Sequence, residues 1–173
     1  DIATVRIDPE GSGDSLAGIG EGTAAVILAS KALGWWKLPE PVQESTREIA
    51  AELVSWRVDR APRTRAAGLR CLAAIWSSMN SRNFEESDPR LASRHTPDLL
   101  PLKDFWSDEL PQEKGRVAIC ETLMYSGGSD IFEARASAVD AIVELILGAG
   151  AGSVLDAFPE LPEALFTALA HGC

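Results

Sequence analysis

Five arginines lie within a fourteen-residue stretch of this chain: Arg57, Arg60, Arg63, Arg65 and Arg70. Asp59 is the only acidic residue among them, so five positive charges against one negative give the stretch +4, in a chain whose net charge is −10. The planar guanidinium group forms paired hydrogen bonds with carboxylates and phosphates. The cluster therefore predicts one of two arrangements. Either it contacts an acidic protein or a nucleic acid, or it pairs internally with acidic neighbours such as Glu48 and Glu52.

Tryptophans are the second residue type with recognition chemistry, and the chain has five of them. Trp56 and Trp76 fall on apolar helix faces and are predicted to be core residues. The adjacent Trp35 and Trp36 lie in a connection that does not readily turn both side chains inward. An exposed tryptophan beside a basic patch is a natural anchor for a protein partner. The predicted partner-binding residues are Arg57, Arg60, Arg63, Arg70, Trp35 and Trp36.

Catalytic chemistry has little support in the sequence. His95 and His171 are the only histidines, and His95 lies near Asp98 but has no serine or cysteine in a nucleophile context. The carboxylate pairs Glu85-Glu86 and Asp108-Glu109 lie in polar segments without the burial that tunes a catalytic acid. We therefore predict that the protein is not an enzyme.

The glycines of residues 11–22 precede a predicted helix, where a phosphate-binding loop would lie. However, Leu16 and Thr23 occupy the places where a dinucleotide-binding motif needs its third glycine. No Gly-Lys-Ser/Thr motif follows either. The segment is thus predicted to be a flexible linker, and no cofactor is expected.

The three cysteines, Cys71, Cys120 and Cys173, show no spacing typical of a metal site. Cys71 and Cys120 are predicted to be buried free thiols, which is typical of a reducing compartment. This pattern favours a cytoplasmic or otherwise intracellular protein. Because the chain begins with Asp1 rather than Met, we expect it to be processed, trimmed or incompletely represented, and a removed targeting peptide stays open.

Length and composition indicate a single domain covering residues 1–173. Hydrophobic residues make up 46% of the chain, as in ordinary globular proteins, and this length allows a sizeable core. The acidic net charge repels nucleic acid and anionic membranes at long range, although it leaves room for a local basic patch. The longest apolar run, Ala24 to Ala29, is too short to span a bilayer, so no membrane contact is predicted.

The elements that must position these residues are predicted to be helical. Residues 2–7 alternate as an extended arm does, and Gly18, Gly20 and Gly22 disfavour a helix before Thr23, so residues 1–22 are predicted to be an arm and a Gly-rich linker. Residues 81–110 are predicted to be an irregular insertion. The periodicity predicts helices over 24–33, 42–60, 62–79, 111–126, 130–147, 154–158 and 162–171. The apolar residues predicted to share the core-facing side are Leu69, Leu72, Trp76 and Met79 in 62–79, Val117, Cys120 and Met124 in 111–126, and Phe132, Ala136, Val139, Val143 and Ile146 in 130–147.

Two of these helices share a pattern. Arg65–Ile75 aligns with Arg135–Leu145 through the arginine, the small residue after it, and apolar positions four, seven and ten residues on. Asp59 and Asp130 lie just upstream of the two arginines. Such self-similarity is typical of stacked helical pairs, none of which buries its apolar face alone.

This pattern resembles the second helix of HEAT or armadillo-type repeats, in which an aspartate in the turn precedes an arginine that begins the inner helix. The resemblance covers about 100 of the 173 residues, over 42–79 and 111–171. It departs from the family pattern in the apolar residue usual before the arginine, which is Thr64 here in one copy and Ala134 in the other. The resemblance implies antiparallel hairpins stacked as a short α-solenoid, while an irregular helical bundle is the alternative.

The fold class and the basic cluster together predict a non-enzymatic scaffold that binds another protein carrying an acidic patch. The alternative is a self-assembling helical subunit, such as a viral or phage coat protein or nucleoprotein. In that case the N-terminal arm would pair with a neighbour, and the Arg-rich hairpin would hold nucleic acid phosphates.

Overall fold

The computed structural model describes residues 13–29, 34–80 and 112–171, and all regular structure within these ranges is helical. The all-α prediction is therefore confirmed. The predicted extended arm (residues 2–7) and irregular insertion (81–110) lie outside the described residues, as do His95 and Cys173. The described ranges contain seven α-helices: α1 (Gly13–Ala29), α2 (Glu40–Ser55), α3 (Pro62–Asn80), α4 (Gln112–Met124), α5 (Phe132–Ala149), α6 (Ala151–Ala157) and α7 (Leu161–Ala170).

Helix α3 is the centre of the fold and packs against α1, α2 and α5. Its predicted core residues Leu69, Leu72, Trp76 and Met79 are all buried. Small residues on its other faces are buried too, because neighbouring helices surround it. A helix that is enclosed on most sides does not need a polar face. The apolar and small residues around α3 agree with this position.

Helices α3 and α5 run parallel, in matched register. Arg70 near the middle of α3 pairs with Glu133 at the start of α5, and the Asn80 amide donates to the Glu144 carbonyl oxygen further along. The contacts therefore advance in the same direction along both helices. This arrangement places the second helix of each predicted hairpin side by side.

Helix α1 runs parallel to α3 on the side that α5 leaves open. Gly20 lies against Ala67, and one turn later the backbone N–H of Ala24 faces Cys71. The Cys71 thiol also donates a hydrogen bond to the Gly20 carbonyl oxygen at 3.0 Å. Three parallel helices, α1, α3 and α5, thus form one layer of the fold.

The prediction of a Gly-rich linker is wrong for residues 13–22, because α1 begins at Gly13. At Gly20, close helix packing outweighs the weak helix propensity of glycine. A Cβ atom there would lie 2.6 Å from Leu53 Cδ1 and 2.8 Å from Ala67 Cβ. The missing side chain allows α1 to approach α2 and α3 closely.

The connection between α2 and α3 is also longer than predicted. Helix α2 ends at Ser55 rather than Arg60, so residues 56–61 form the turn before Pro62 begins α3. At this turn, Leu53 and Val54 from the end of α2 lie against Gly68 in the first half of α3. The two helices therefore form a hairpin.

The predicted apolar faces of α4 and α5 need correction. Val117 and Met124 of α4, and Phe132 and Val143 of α5, were expected to face the core but are exposed. The buried residues on these helices are Ala118, Ile119, Cys120, Leu123, Ala134, Ala138, Ala141, Ile142, Leu145 and Ala149. Apolar residues occur around most of α5, so periodicity alone does not identify the face that meets α3.

Among the described residues, no single helix is long and apolar enough to cross a membrane. Helices α5 and α6 together reach the necessary length and composition, but the chain bends by 120° between them. Several α5 residues are buried against other helices of the fold, among them Ala138 and Leu145.

Candidate protein-binding surface

Two of the predicted binding arginines lie on the turn between α2 and α3 and are paired with Asp59. Arg57 forms two hydrogen bonds with that carboxylate, of 2.9 and 3.0 Å, and the Arg60 Nε atom lies 3.9 Å from Asp59 Oδ2. The hydrogen bond from Arg57 lowers the pKa of Asp59, and the same bond raises the pKa of Arg57. The Arg57 and Arg60 side chains remain 72% and 81% exposed. Arg63, in the first turn of α3, is exposed as well.

Arg70 has a different environment from these three. Its Nη1 atom lies 3.0 Å from Glu21 Oε1 of α1, and its Nη2 atom pairs with Glu133 of α5. Arg70 therefore joins three helices through two carboxylates. Its charge is already matched within the molecule, so its predicted role as a contact for an acidic partner needs correction.

Arg65 is the most buried of the five arginines, with 3% of its side chain exposed. It donates to the backbone oxygens of Trp56 and Ala118 at 2.6 and 2.9 Å, and its Nη2 atom lies 3.0 Å from Glu121 Oε2. Burial lowers the pKa of Arg65, and Glu121 opposes that effect. Internal pairing is thus established for Arg65 and Arg70, with Glu121, Glu21 and Glu133 as acidic partners.

Arg135 has a comparable place in the second hairpin. It is buried at the start of α5, and its Nη2 atom donates to the backbone oxygen of Tyr125, the residue after α4. In the first hairpin, Arg65 donates to Trp56, the residue after α2. The two aligned arginines therefore bind the carbonyl that follows the preceding helix in both hairpins.

The two adjacent tryptophans face opposite ways. Trp35 is fully buried, and the Arg47 guanidinium carbon lies 5.4 Å from the centroid of its ring. Its predicted contact with a partner needs correction, because a side chain with no exposed surface is part of the core. Trp36 is 39% exposed and keeps its place as a candidate contact.

A groove of about 590 Å³, which was not predicted from the sequence, runs between α1, α3 and α5. We call it the α1/α3/α5 groove. Its floor consists of small side chains of α1 and α3, namely Ala24, Ala73, Ala74 and Ser77. Leu28 on the α1 wall is 51% exposed, and Val143 on the α5 wall is 46% exposed. Exposed apolar walls over a floor of small residues accommodate an apolar side chain from another molecule.

Charged residues at the rim of this groove are predominantly acidic. Glu21, Asp140 and Glu144 line it, and Arg70 is the one cationic residue among its lining. Because Arg70 is held by Glu21 and by Glu133, its charge is compensated. The groove therefore presents negative charge around an apolar centre.

A second groove of about 510 Å³ lies between α1 and α2. Its lining includes Ile19, Val26, Leu38, Val42 and Ile49, and none of its lining residues is charged. It is apolar, but it lacks the charged rim that would select a partner.

The described part of the chain offers little support for a catalytic nucleophile or a metal site. Cys71 and Cys120 are buried free thiols, as predicted. Burial raises the pKa of Cys71 to about 12 and that of Cys120 to about 11, so neither is a reactive thiolate near neutral pH. The ranges 13–29, 34–80 and 112–171 contain no group of three or more histidine, cysteine or acidic residues placed to hold a metal ion.

No family model, curated protein or solved structure matches this chain. Its function must therefore be inferred from its own geometry.

Sequence reasoning missed the groove because the groove depends on how α1, α3 and α5 pack side by side. The one available signal was Val143, an apolar residue between acidic Asp140 and Glu144. That signal is ambiguous, because the same spacing also fits a core-facing stripe.

Proposed function

We propose that this protein is a non-enzymatic interaction module, built from helical hairpins of repeat type, that binds another protein. The observation that carries the proposal is the α1/α3/α5 groove, whose apolar walls are open and whose rim is charged. A concave site with apolar walls and a few polar groups at its edge is the usual form of a binding site.

The arginine contacts support the repeat character of the proposal. Arg65 and Arg135 bind the carbonyl after α2 and after α4, respectively, so the same local contact occurs in both hairpins. The second helices of these hairpins lie parallel, with α1 beside them in the same layer. Repeat proteins use a layer of parallel helices of this kind as an extended binding surface.

The alternative, a self-assembling subunit that binds nucleic acid through the arginine cluster, has weaker support. Arg65 is buried and Arg70 is held by two glutamates, so neither guanidinium group is available to phosphates. Arg57 and Arg60 are exposed but share Asp59. The remaining local positive charge is therefore smaller than the sequence count suggests.

A displayed library of helix-length fragments from natural proteins tests the proposal. We expect a set of fragments to bind the wild-type protein and the Val117→Ser variant but to lose binding to Val143→Ser. Val117 is a matched control, since it is 49% exposed on α4 and lies outside the groove, while Val143 is 46% exposed within it. If no fragment distinguishes the two variants, the groove is not a protein-binding site.

A further inference from the structure

We propose that the α1/α3/α5 groove binds a basic amphipathic helix from a partner protein. This inference rests on the proposed function and specifies the chemistry of the partner. The partner would place apolar residues between Leu28 and Val143, and lysines or arginines against the acidic rim.

The charge of the groove selects the sign of the partner. Glu21, with a side chain 57% exposed, lies on the α1 wall, and Asp140 and Glu144 line the α5 wall. Arg70 offsets only one of these charges and is itself shared between Glu21 and Glu133. A cationic partner gains attraction at the rim, whereas an acidic one meets repulsion there.

The form of the groove favours a helix over an extended strand. Its walls and floor are α-helices whose backbone groups are already hydrogen-bonded, so they offer no edge to which a strand could add. The α3 residues that line the groove extend from Arg70 to Ser77, over about 10 Å, which corresponds to about two turns of a bound helix. Small floor side chains allow its backbone to approach closely.

A second copy of this chain is a poorer occupant. Each copy has a net charge of −10, so two copies repel one another at long range. Among the described residues, the highly exposed Arg57 and Arg60 lie on a turn together with Asp59 rather than along an amphipathic helix.

Three synthetic peptides of about 18 residues, or about five helical turns, test this inference. All three carry leucines at one helix face, with lysine, glutamine or glutamate at the remaining positions. Fluorescence anisotropy measures their binding to the whole protein at about 0.05 M and 0.5 M salt. We expect the lysine peptide to bind about tenfold more tightly than the glutamine peptide at low salt, and this advantage to shrink at high salt.

Matched variants locate the bound peptide. Asp140→Lys should weaken the lysine peptide about tenfold and improve binding of the glutamate peptide, whereas Asp156→Lys, the same change on α6 outside the groove, should alter neither. Val143→Ser should weaken all three peptides, and Val117→Ser should not. Because these four residues are exposed or at the surface, circular dichroism melts should confirm that each variant folds.

Several outcomes would overturn the inference. The first is equal binding of the lysine and glutamine peptides, and the second is equal weakening by Asp140→Lys and Asp156→Lys. A third is dimerisation of the protein itself that Val143→Ser abolishes, because it would assign the groove to a second copy. If natural fragments still bind through Val143 but are not basic, the proposed function stands and only this inference fails.

Discussion

Arg65 of α3 and Glu121 of α4 form an ion pair of 3.0 Å that joins the two helical hairpins. The arginine is buried, whereas the Glu121 side chain is 41% exposed. The remaining guanidinium donors bind the backbone oxygens of Trp56 and Ala118. One side chain thus satisfies three acceptors on both hairpins, which makes it a structural rather than a recognition residue.

Arg65→Met should destabilise the protein by about 3 kcal/mol, because the Trp56 and Ala118 carbonyl oxygens lose their hydrogen bonds from Arg65 and Glu121 loses its ion-pair partner. Arg65→Lys should also destabilise it, since a single ammonium group does not reach all three acceptors. Glu121→Gln should cost less than Arg65→Met, because water reaches that carboxylate. Urea denaturation measures all three, and Arg60→Ala, at an exposed position, serves as the control. Equal stability of Arg65→Met and Arg60→Ala would contradict the structural role.

Gly68→Ala and Gly18→Ala should shift stability in opposite directions. At Gly68 a Cβ atom would lie 2.8 Å from Leu53 Cβ and 2.8 Å from the Val54 nitrogen, so α2 and α3 must separate. We expect a loss of about 2 kcal/mol, despite the better helix propensity of alanine. At Gly18 nothing lies within 4 Å, and the same change should stabilise the protein by up to about 1 kcal/mol. If the melting temperatures of both variants shift in the same direction, the close contact of Gly68 with Leu53 and Val54 is wrong.

Leu72→Ala and Val139→Ala distinguish the cores of the two aligned helices. Leu72 is 1% exposed in the central cluster, so its truncation should cost about 3 kcal/mol. Val139 is only partly buried against that cluster, and its truncation should cost about 1 kcal/mol. Denaturation in urea checks both values, and a larger loss at Val139 than at Leu72 would show that α5 turns a different face to α3.

The helical class was predictable from the sequence because periodicity and helix-forming composition act locally. The α3 core residues Leu69, Leu72 and Trp76 were identified correctly, since that helix has a strong apolar stripe. The prediction that Gly20 disfavours a helix was wrong, because a glycine favours close helix packing only where another helix lies against it. The sequence alone does not show which helix that is. The α1/α3/α5 groove was missed for the same reason, as its walls are more than 100 residues apart in the chain.

Alkaline pH should destabilise the protein through its two buried thiols. Below about pH 9, the cysteines are neutral in both the folded and the unfolded chain, so they contribute no pH dependence. Above that value, thiols in the unfolded chain ionise, while Cys71 and Cys120 in the folded state stay neutral until about 12 and 11. Stability is therefore lost as pH rises, by up to about 1.4 kcal/mol per pH unit for each thiol.

Urea denaturation from about pH 8 to 11 tests this loss by comparing the wild-type protein with a Cys71→Ala, Cys120→Ala double variant. This range begins below the ordinary thiol pKa and ends near the raised pKa of Cys120, about 11. Both proteins retain Cys173, the tyrosine and the lysines, so their other titrations cancel. The unfolding free energy of the wild-type protein should fall more steeply than that of the variant. Parallel curves would mean that the thiols are not buried.

Charge reversal at the turn between α2 and α3 separates the groove from the arginine cluster as the binding surface. Arg57→Glu combined with Arg60→Glu should leave the protein folded, because both side chains are exposed and pair with Asp59 on the same turn. If the groove is the binding site, this double variant should bind the lysine peptide as tightly as the wild type does.

Light scattering with and without single-stranded RNA tests the alternative, a nucleic-acid-binding subunit. We expect the wild-type protein to form no larger species with RNA, because Arg65 and Arg70 are already paired within the molecule. An ordered assembly that grows with RNA and disappears in the double variant would instead support the nucleic-acid-binding subunit and contradict the groove as the main recognition surface.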